Sequence, residues 1–190
     1  MQVEALPARP SNRMTIALLI GLTIAPVLLS TLVYFYWKPT GGKSFGELLP
    51  TRPVPQLVMH TLAGQAASLN EFKGKWLLLM ADKAQCDAAC QNRLFAMRQF
   101  RLAQGLEMER VKRLWLVVGD GMPSEAARIA ADGAEIRRVA QLPPLPGDVG
   151  NGIYLIDPLG NQVVRYPQDA TPAKVIKEIG RFLKNNQSLG

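Results

Sequence analysis

The sequence predicts an α/β domain, a mixed sheet flanked by helices, preceded by one N-terminal transmembrane helix. Three observations predict it. An uncharged run near the N-terminus is long enough to cross a bilayer. Two short apolar runs, Trp76–Ala81 and Leu114–Val118, have the composition of strands buried on both faces. The segment between them carries a helical period, which makes a strand, helix, strand unit with a right-handed crossover and parallel pairing.

The membrane segment comes first. Met14 to Trp37 is a stretch of about 24 residues without a charge, sufficient at ~1.5 Å per residue for a ~30 Å hydrocarbon layer. It contains Pro26, a kink signal, and ends in Tyr34, Phe35, Tyr36 and Trp37, an aromatic belt followed by Lys38 and Pro39. A cleaved signal peptide has a shorter apolar core, ~7–15 residues, and small residues at its end, so an uncleaved anchor is the expectation. Arg9 and Arg13 against Glu4 place residues 1–13 in the cytoplasm and the rest of the chain outside it. Residues 38–56, with Gly41, Gly42, Pro39, Pro50, Pro53 and Pro55, are expected to form an extended linker before a domain of residues 57–190.

Within that domain, Leu57–Leu69 reads as two short strands around Gly64. Gly74-Lys75 then introduces the first buried strand. From Cys86 to about Glu109 the spacing of Leu94, Met97, Arg98, Arg101 and Leu102 predicts one long helix, and Leu114–Val118 the second buried strand. Pro123–Ala131 is a short helix capped by Ser124 and closed by Gly133. Residues 142–152 form a Pro/Gly-rich loop leading into Ile153–Ile156, which turns at Asp157-Pro158-Leu159-Gly160 into Val163–Tyr166 as a hairpin. Thr171-Pro172 opens a closing helix with Val175, Ile176, Ile179, Phe182 and Leu183 as its apolar stripe. Hairpin, βαβ, then ββα is the order of a thioredoxin-like domain.

Composition narrows the chemistry. One histidine excludes sites that need two imidazoles, and two cysteines cannot staple a mini-protein. Almost all of the net charge of +7 lies beyond the apolar run, which favours an anionic membrane surface or an acidic partner. Arg93, Arg98, Arg101, Arg110, Lys112 and Arg113 interleave with apolar residues without an aromatic-plus-basic motif, so they read as a solvated face and nucleic acid is not an expected partner. No Gly-rich phosphate loop and no nucleophile elbow is present.

Cys86 and Cys90 carry the chemistry. They lie four residues apart where a buried strand passes into a helix, so their Cα atoms fall ~6 Å apart on one helix face, within reach of a disulfide or a two-thiolate metal site. A helix N-terminus and Lys83 favour the thiolate, while Asp87 opposes it. Cys86, nearer the terminus, is the expected attacking thiol and Cys90 the resolving one.

Gly74-Lys75-Trp76-Leu77-Leu78-Leu79, the Cys86-x-x-x-Cys90 pair and Ile153-Tyr154-Leu155-Ile156-Asp157-Pro158-Leu159-Gly160 resemble the Sco/SenC family of membrane-anchored thioredoxin-fold proteins over about residues 56–184. The resemblance implies a bacterial inner-membrane protein with a periplasmic domain. It also implies a respiratory oxidase subunit or assembly factor as partner, and work at the copper site of cytochrome c oxidase, where family members deliver copper or reduce cysteines using two Cys and a distant His.

The chain departs from that pattern. Asp148 aligns with the Asp of the family's Asp-His pair, but Val149 stands where the histidine ligand belongs. Asp87 and Gln91 replace the prolines after each cysteine, and Met80-Ala81-Asp82 replaces the aromatic residues before the first. The lone His60 reads as a surface or turn residue and Met80 as core. Cu(I) bound by Cys86 and Cys90 alone is compatible with this set, whereas Cu(II) lacks its imidazole. The function expected is that of a membrane-anchored thiol–disulfide protein, a candidate oxidoreductase, in oxidase assembly. The alternatives are a redox-inactive binding module and a copper(I) chaperone using only the two thiolates.

Overall fold

In the computed structural model, which describes residues 12–36 and 44–186, helix α1 (Asn12–Tyr36) is a unit by itself, and a second unit begins at Ser44. The first 25 described residues are helical and exposed, apolar apart from Asn12, Arg13 and a few hydroxyls, with Pro26 inside, so the helix is long and apolar enough to span a membrane. Hydroxyls that would be unsatisfied in lipid turn inward: Thr23 donates to the carbonyls of Leu19 and Ile20. Trp37, residues 38–43 of the expected linker and residues 1–11 lie outside the described residues.

The second unit is built on an eight-stranded mixed sheet. Its strands in chain order are β1 (Glu47–Pro53), β2 (Met59–Thr61), β3 (Ala66–Ala67), β4 (Trp76–Lys83), β5 (Val111–Val118), β6 (Glu135–Val139), β7 (Gly152–Ile156) and β8 (Asn161–Pro167). They lie side by side in the order β1-β8-β7-β4-β5-β6-β2-β3. β4, β5 and β6 run parallel, and every other pairing is antiparallel. Six consecutive buried residues in β4, Trp76 to Ala81, explain the unbroken apolar run, because both faces of this central strand are covered.

Alternation sends those residues to two cores. Leu78 and Met80 join Trp115 and Val117 under three helices, α2 (Ala88–Leu102), α3 (Glu125–Ala131) and α4 (Pro172–Asn185). Leu77, Leu79 and Ala81 join Leu116, Val149 and Tyr154 in a second core on the opposite face. This is the thioredoxin-like mixed sheet flanked by helices that the element order predicts.

Three local expectations change. Residues 47–53, expected within the linker, are an edge strand on β8, so the domain starts near Ser44 and not at residue 57. Prolines at an edge cost no ladder bond if their missing N–H faces outward, which is how a Pro-rich stretch can still pair. The long helix expected to reach Glu109 stops at Leu102. The Gln104 amide folds back onto the Phe100 carbonyl, and Gly105 at φ +59° turns the chain into a 3-10 segment. Finally β6 was not anticipated, because Glu135, Arg137 and Arg138 hide a strand whose outer positions are only half covered.

Gly46 secures the edge strand. A Cβ there would lie 2.3 Å from Val164 Cγ1 and 2.8 Å from the Arg165 carbonyl oxygen, and backbone cannot yield cheaply. Gly46→Ala is therefore expected to destabilise the domain by about 1–3 kcal/mol and to open residues 44–53 to protease. Unchanged urea midpoint and cleavage rate would show that β1 does not pack as described.

Candidate functional site

Cys86 and Cys90 form a disulfide with a Cα–Cα distance of 5.1 Å. Their geometry differs from two positions on one helical face. Cys86 precedes the helix in the left-handed region, φ +39°, where a side chain is disfavoured. Its amide donates to the Lys83 carbonyl at 3.2 Å, closing a turn that leads the chain off β4. Asp87 is the N-cap of α2, and its Oδ1 accepts the Cys90 N–H at 2.9 Å. The carboxylate expected to oppose a thiolate thus also starts the helix that carries Cys90.

Gln91, which stands where the resemblance calls for proline, donates its Nε2 to the Cys86 carbonyl at 3.1 Å. That bond ties the left-handed turn to the first turn of α2.

The disulfide is covered. Cys86 is 2% exposed and Cys90 fully buried, in the same core as Met80, Ala84 and Leu94. Gly121, in the loop after β5, lies so close that a Cβ on it would come within 2.8 Å of Ala84 Cβ. Since exchange requires a thiolate to reach a sulfur, reduction of the folded protein is expected to be about a hundredfold or more slower than in denaturant. Thiol release under dithiothreitol, with and without urea, measures it. Equal rates would mean that the disulfide is open to solvent.

One helical turn after Cys90 lies an ion pair that sequence reasoning missed. Arg93 occupies the buried face of α2 with Cys90, Leu94 and Met97, is 5% exposed, and pairs through Nη2 with Asp82 Oδ2 near the end of β4. Its Nε and Nη1 have no protein partner. The signal was present: Arg93 is three residues after Cys90, on the apolar side, and so could not belong to a solvated face. Arg113 is likewise buried, and Arg110 donates to the Leu183 and Asn186 carbonyls at the end of α4. Of the expected solvated face, Arg98 and Lys112 are indeed exposed, whereas Arg93 and Arg113 are buried and Arg110 is half-buried against the end of α4.

The other candidates stay apart from the sulfurs. Val149 belongs to the core on the opposite face of the sheet from Cys86 and Cys90. Asp148 accepts an Asn151 amide at 2.8 Å through Oδ2, and its carbonyl takes Arg165 Nη2 at 2.9 Å. His60 is exposed on β2, paired in register with Ala66 and Arg138, and Met80 is buried core as expected. Among the described residues no group of three His, Cys, Asp or Glu side chains is placed to hold a metal ion. Among the described residues, no His, Asp or Glu is grouped with Cys86 and Cys90 as a third donor.

Residues 76–186 match the family model described as transmembrane-like, thioredoxin-like, C-terminal domain. No curated protein sequence matches the chain significantly. Among solved structures, copper-bound ScoI of Bradyrhizobium japonicum superposes with a TM-score of 0.51 at 18% identity, covering 70% of this chain and all of that one. BsSco, a member of the Sco family of cytochrome c oxidase assembly proteins in which a disulfide switch was identified, gives 0.54 at 17% identity over 74% of this chain and 96% of its own. A putative protein disulfide isomerase of Bacteroides thetaiotaomicron gives 0.57 at 13% identity over 77% and 98%. At these identities the likeness is one of fold.

Proposed function

The chain belongs to the family of transmembrane-like, thioredoxin-like C-terminal domains, and from that premise we propose that it is a membrane-anchored thiol–disulfide protein. In this reading it is a single-pass protein of a bacterial inner membrane, held in the bilayer by Met14–Trp37, with its domain in the periplasm and a respiratory oxidase subunit or assembly factor as client. The observation that carries the proposal is the disulfide joining the chain's only two cysteines at the β4–α2 junction. The Sco likeness, whose members include an oxidase assembly protein with a disulfide switch, supports the choice of client class.

In the proposed reaction the reduced Cys86 thiolate attacks a client disulfide, forming a mixed disulfide and releasing one client thiolate. The Cys90 thiolate then attacks Cys86 Sγ, forms the Cys86–Cys90 bond and releases the second client thiolate. Two electrons pass from the pair to the client. The disulfide state is the spent form of that cycle, and the reverse sequence would oxidise a client.

Copper is the alternative suggested by the copper-bound Sco structures. Cu(I) accepts two thiolates, so Cys86 and Cys90 could hold it once reduced. A third, nitrogen ligand is not supplied, because Val149 is apolar and on the other face and His60 is exposed on β2. The residues present do not complete a three-ligand copper site, and exchange needs none.

The test is a redox titration of the full chain in detergent micelles, read by alkylation of free thiols. A reversible two-electron couple with both thiols appearing together is expected. Failure to re-form the intramolecular disulfide overturns the exchange reading. Normal oxidase assembly in cells carrying Cys86→Ser with Cys90→Ser would instead support a binding module without redox chemistry.

A further inference from the structure

Arg98 and Arg101 lie near the end of α2 and Lys112 and Arg113 at the start of β5, and the fold brings all four to one cavity of about 260 Å3 whose wall also holds Asp132 and Glu135. That volume is just below the ~300–1,000 Å3 of sites for drug-sized ligands, so it suits a headgroup-sized molecule.

The carboxylates do not neutralise it. Asp132 pairs with Arg98 at 2.7 Å, Glu135 is engaged by Arg137 at 2.9 Å, and Arg101 pairs with Glu109, which does not line the cavity. Arg113, 7% exposed, spends Nη1 and Nη2 on the neutral carbonyls of Ala131 and Asp132. Lys112 is exposed and makes no ion pair among the described residues. Two positive charges, on Lys112 and Arg113, thus face the cavity without a carboxylate. Burial first, then the charge of Arg101, holds the Arg113 guanidinium below its ordinary pKa, with Arg98 adding to the effect against Asp132. An anion at this point would relieve a repulsion that the fold enforces.

We propose that this cavity binds a phosphate ester, whose oxygens Lys112 contacts and whose charge Arg98, Arg101 and Arg113 attract from the cavity wall. The source is either a soluble phosphate ester or the headgroup of an anionic lipid. Because β4 and β5 are parallel, the cavity at the start of β5 and the disulfide beyond the end of β4 occupy opposite ends of the strand pair. Binding here therefore does not depend on thiol exchange.

The test is calorimetry on the full chain in uncharged maltoside micelles, titrated with glycerol 3-phosphate or with dihexanoyl phosphatidylglycerol. Dihexanoyl phosphatidylcholine and sodium chloride of equal ionic strength serve as controls. Saturable one-to-one binding is expected, weakened about tenfold by Lys112→Gln and unchanged by Lys73→Gln, which removes an exposed charge elsewhere. Binding of glycerol 3-phosphate assigns a soluble ester, and binding of phosphatidylglycerol alone assigns a lipid headgroup. Absence of saturable binding to either, indifference to Lys112→Gln, or equal weakening by Lys73→Gln overturns the proposal.

Discussion

A Cys90→Ser chain is expected to accumulate as a covalent mixed disulfide with its client, whereas Cys86→Ser traps nothing. The asymmetry comes from where each sulfur sits. Cys86 lies ahead of the N-cap between the exposed residues Gln85 and Asp87, so a small opening of its turn presents the sulfur to a partner. Cys90 is in the first turn of α2 with no exposed surface, its amide held by Asp87, and is placed to attack only its neighbour. Removing Cys90 stops the second step and leaves the first, while removing Cys86 stops both. Turnover should fall by about three orders of magnitude or more in either variant, because a pair that acts as a unit fails as a unit. Non-reducing gels of membranes from cells carrying each variant would show the adduct. Trapping by Cys86→Ser in place of Cys90→Ser would reverse the two roles, and trapping by neither would remove the exchange mechanism.

The cysteine pair was legible from the sequence because it depends on local spacing next to a strand that is apolar from Trp76 to Ala81. The hairpin at Asp157–Gly160 was legible for the same reason: Asp157 Oδ1 accepts the Leu159 and Asn161 amides, a local bond that its residue type announces. What stayed hidden depends on partners distant in the chain. Residues 47–53 look like a linker until β8, more than a hundred residues later, offers an edge. Arg93 looks like one of a row of surface cations until Asp82 is brought beside it by the β4–α2 connection. Arg98, Arg101, Lys112 and Arg113 became a cavity only when the end of α2 was laid against the start of β5. Charge gives no period, so a basic residue announces its burial only when its position on an apolar face is counted.

The Asp82–Arg93 pair leads to the second large effect, and again the two partners should not be equivalent. Asp82→Asn leaves the Arg93 guanidinium charged and 5% exposed, with Nε and Nη1 already without protein partners and its counterion gone. Loss of about 3–5 kcal/mol is expected, the cost of an uncompensated buried charge. Arg93→Met removes that charge and keeps an unbranched apolar chain against Leu94 and Met97, while Asp82, 22% exposed, retains contact with water and still accepts the Lys83 amide at 2.6 Å. That change should cost no more than about 1–2 kcal/mol, and the double variant should recover most of what Asp82→Asn loses. Urea midpoints of the three variants decide it. Because Arg93 is three residues beyond Cys90 on the same buried face, Asp82→Asn should also shift the glutathione ratio at which the disulfide is half reduced, whereas an exposed charge change such as Lys73→Gln should not. Equal losses from both single variants, with no recovery in the double, would mean that water already solvates the guanidinium and that the pair neither holds the β4–α2 junction nor tunes the sulfurs above it.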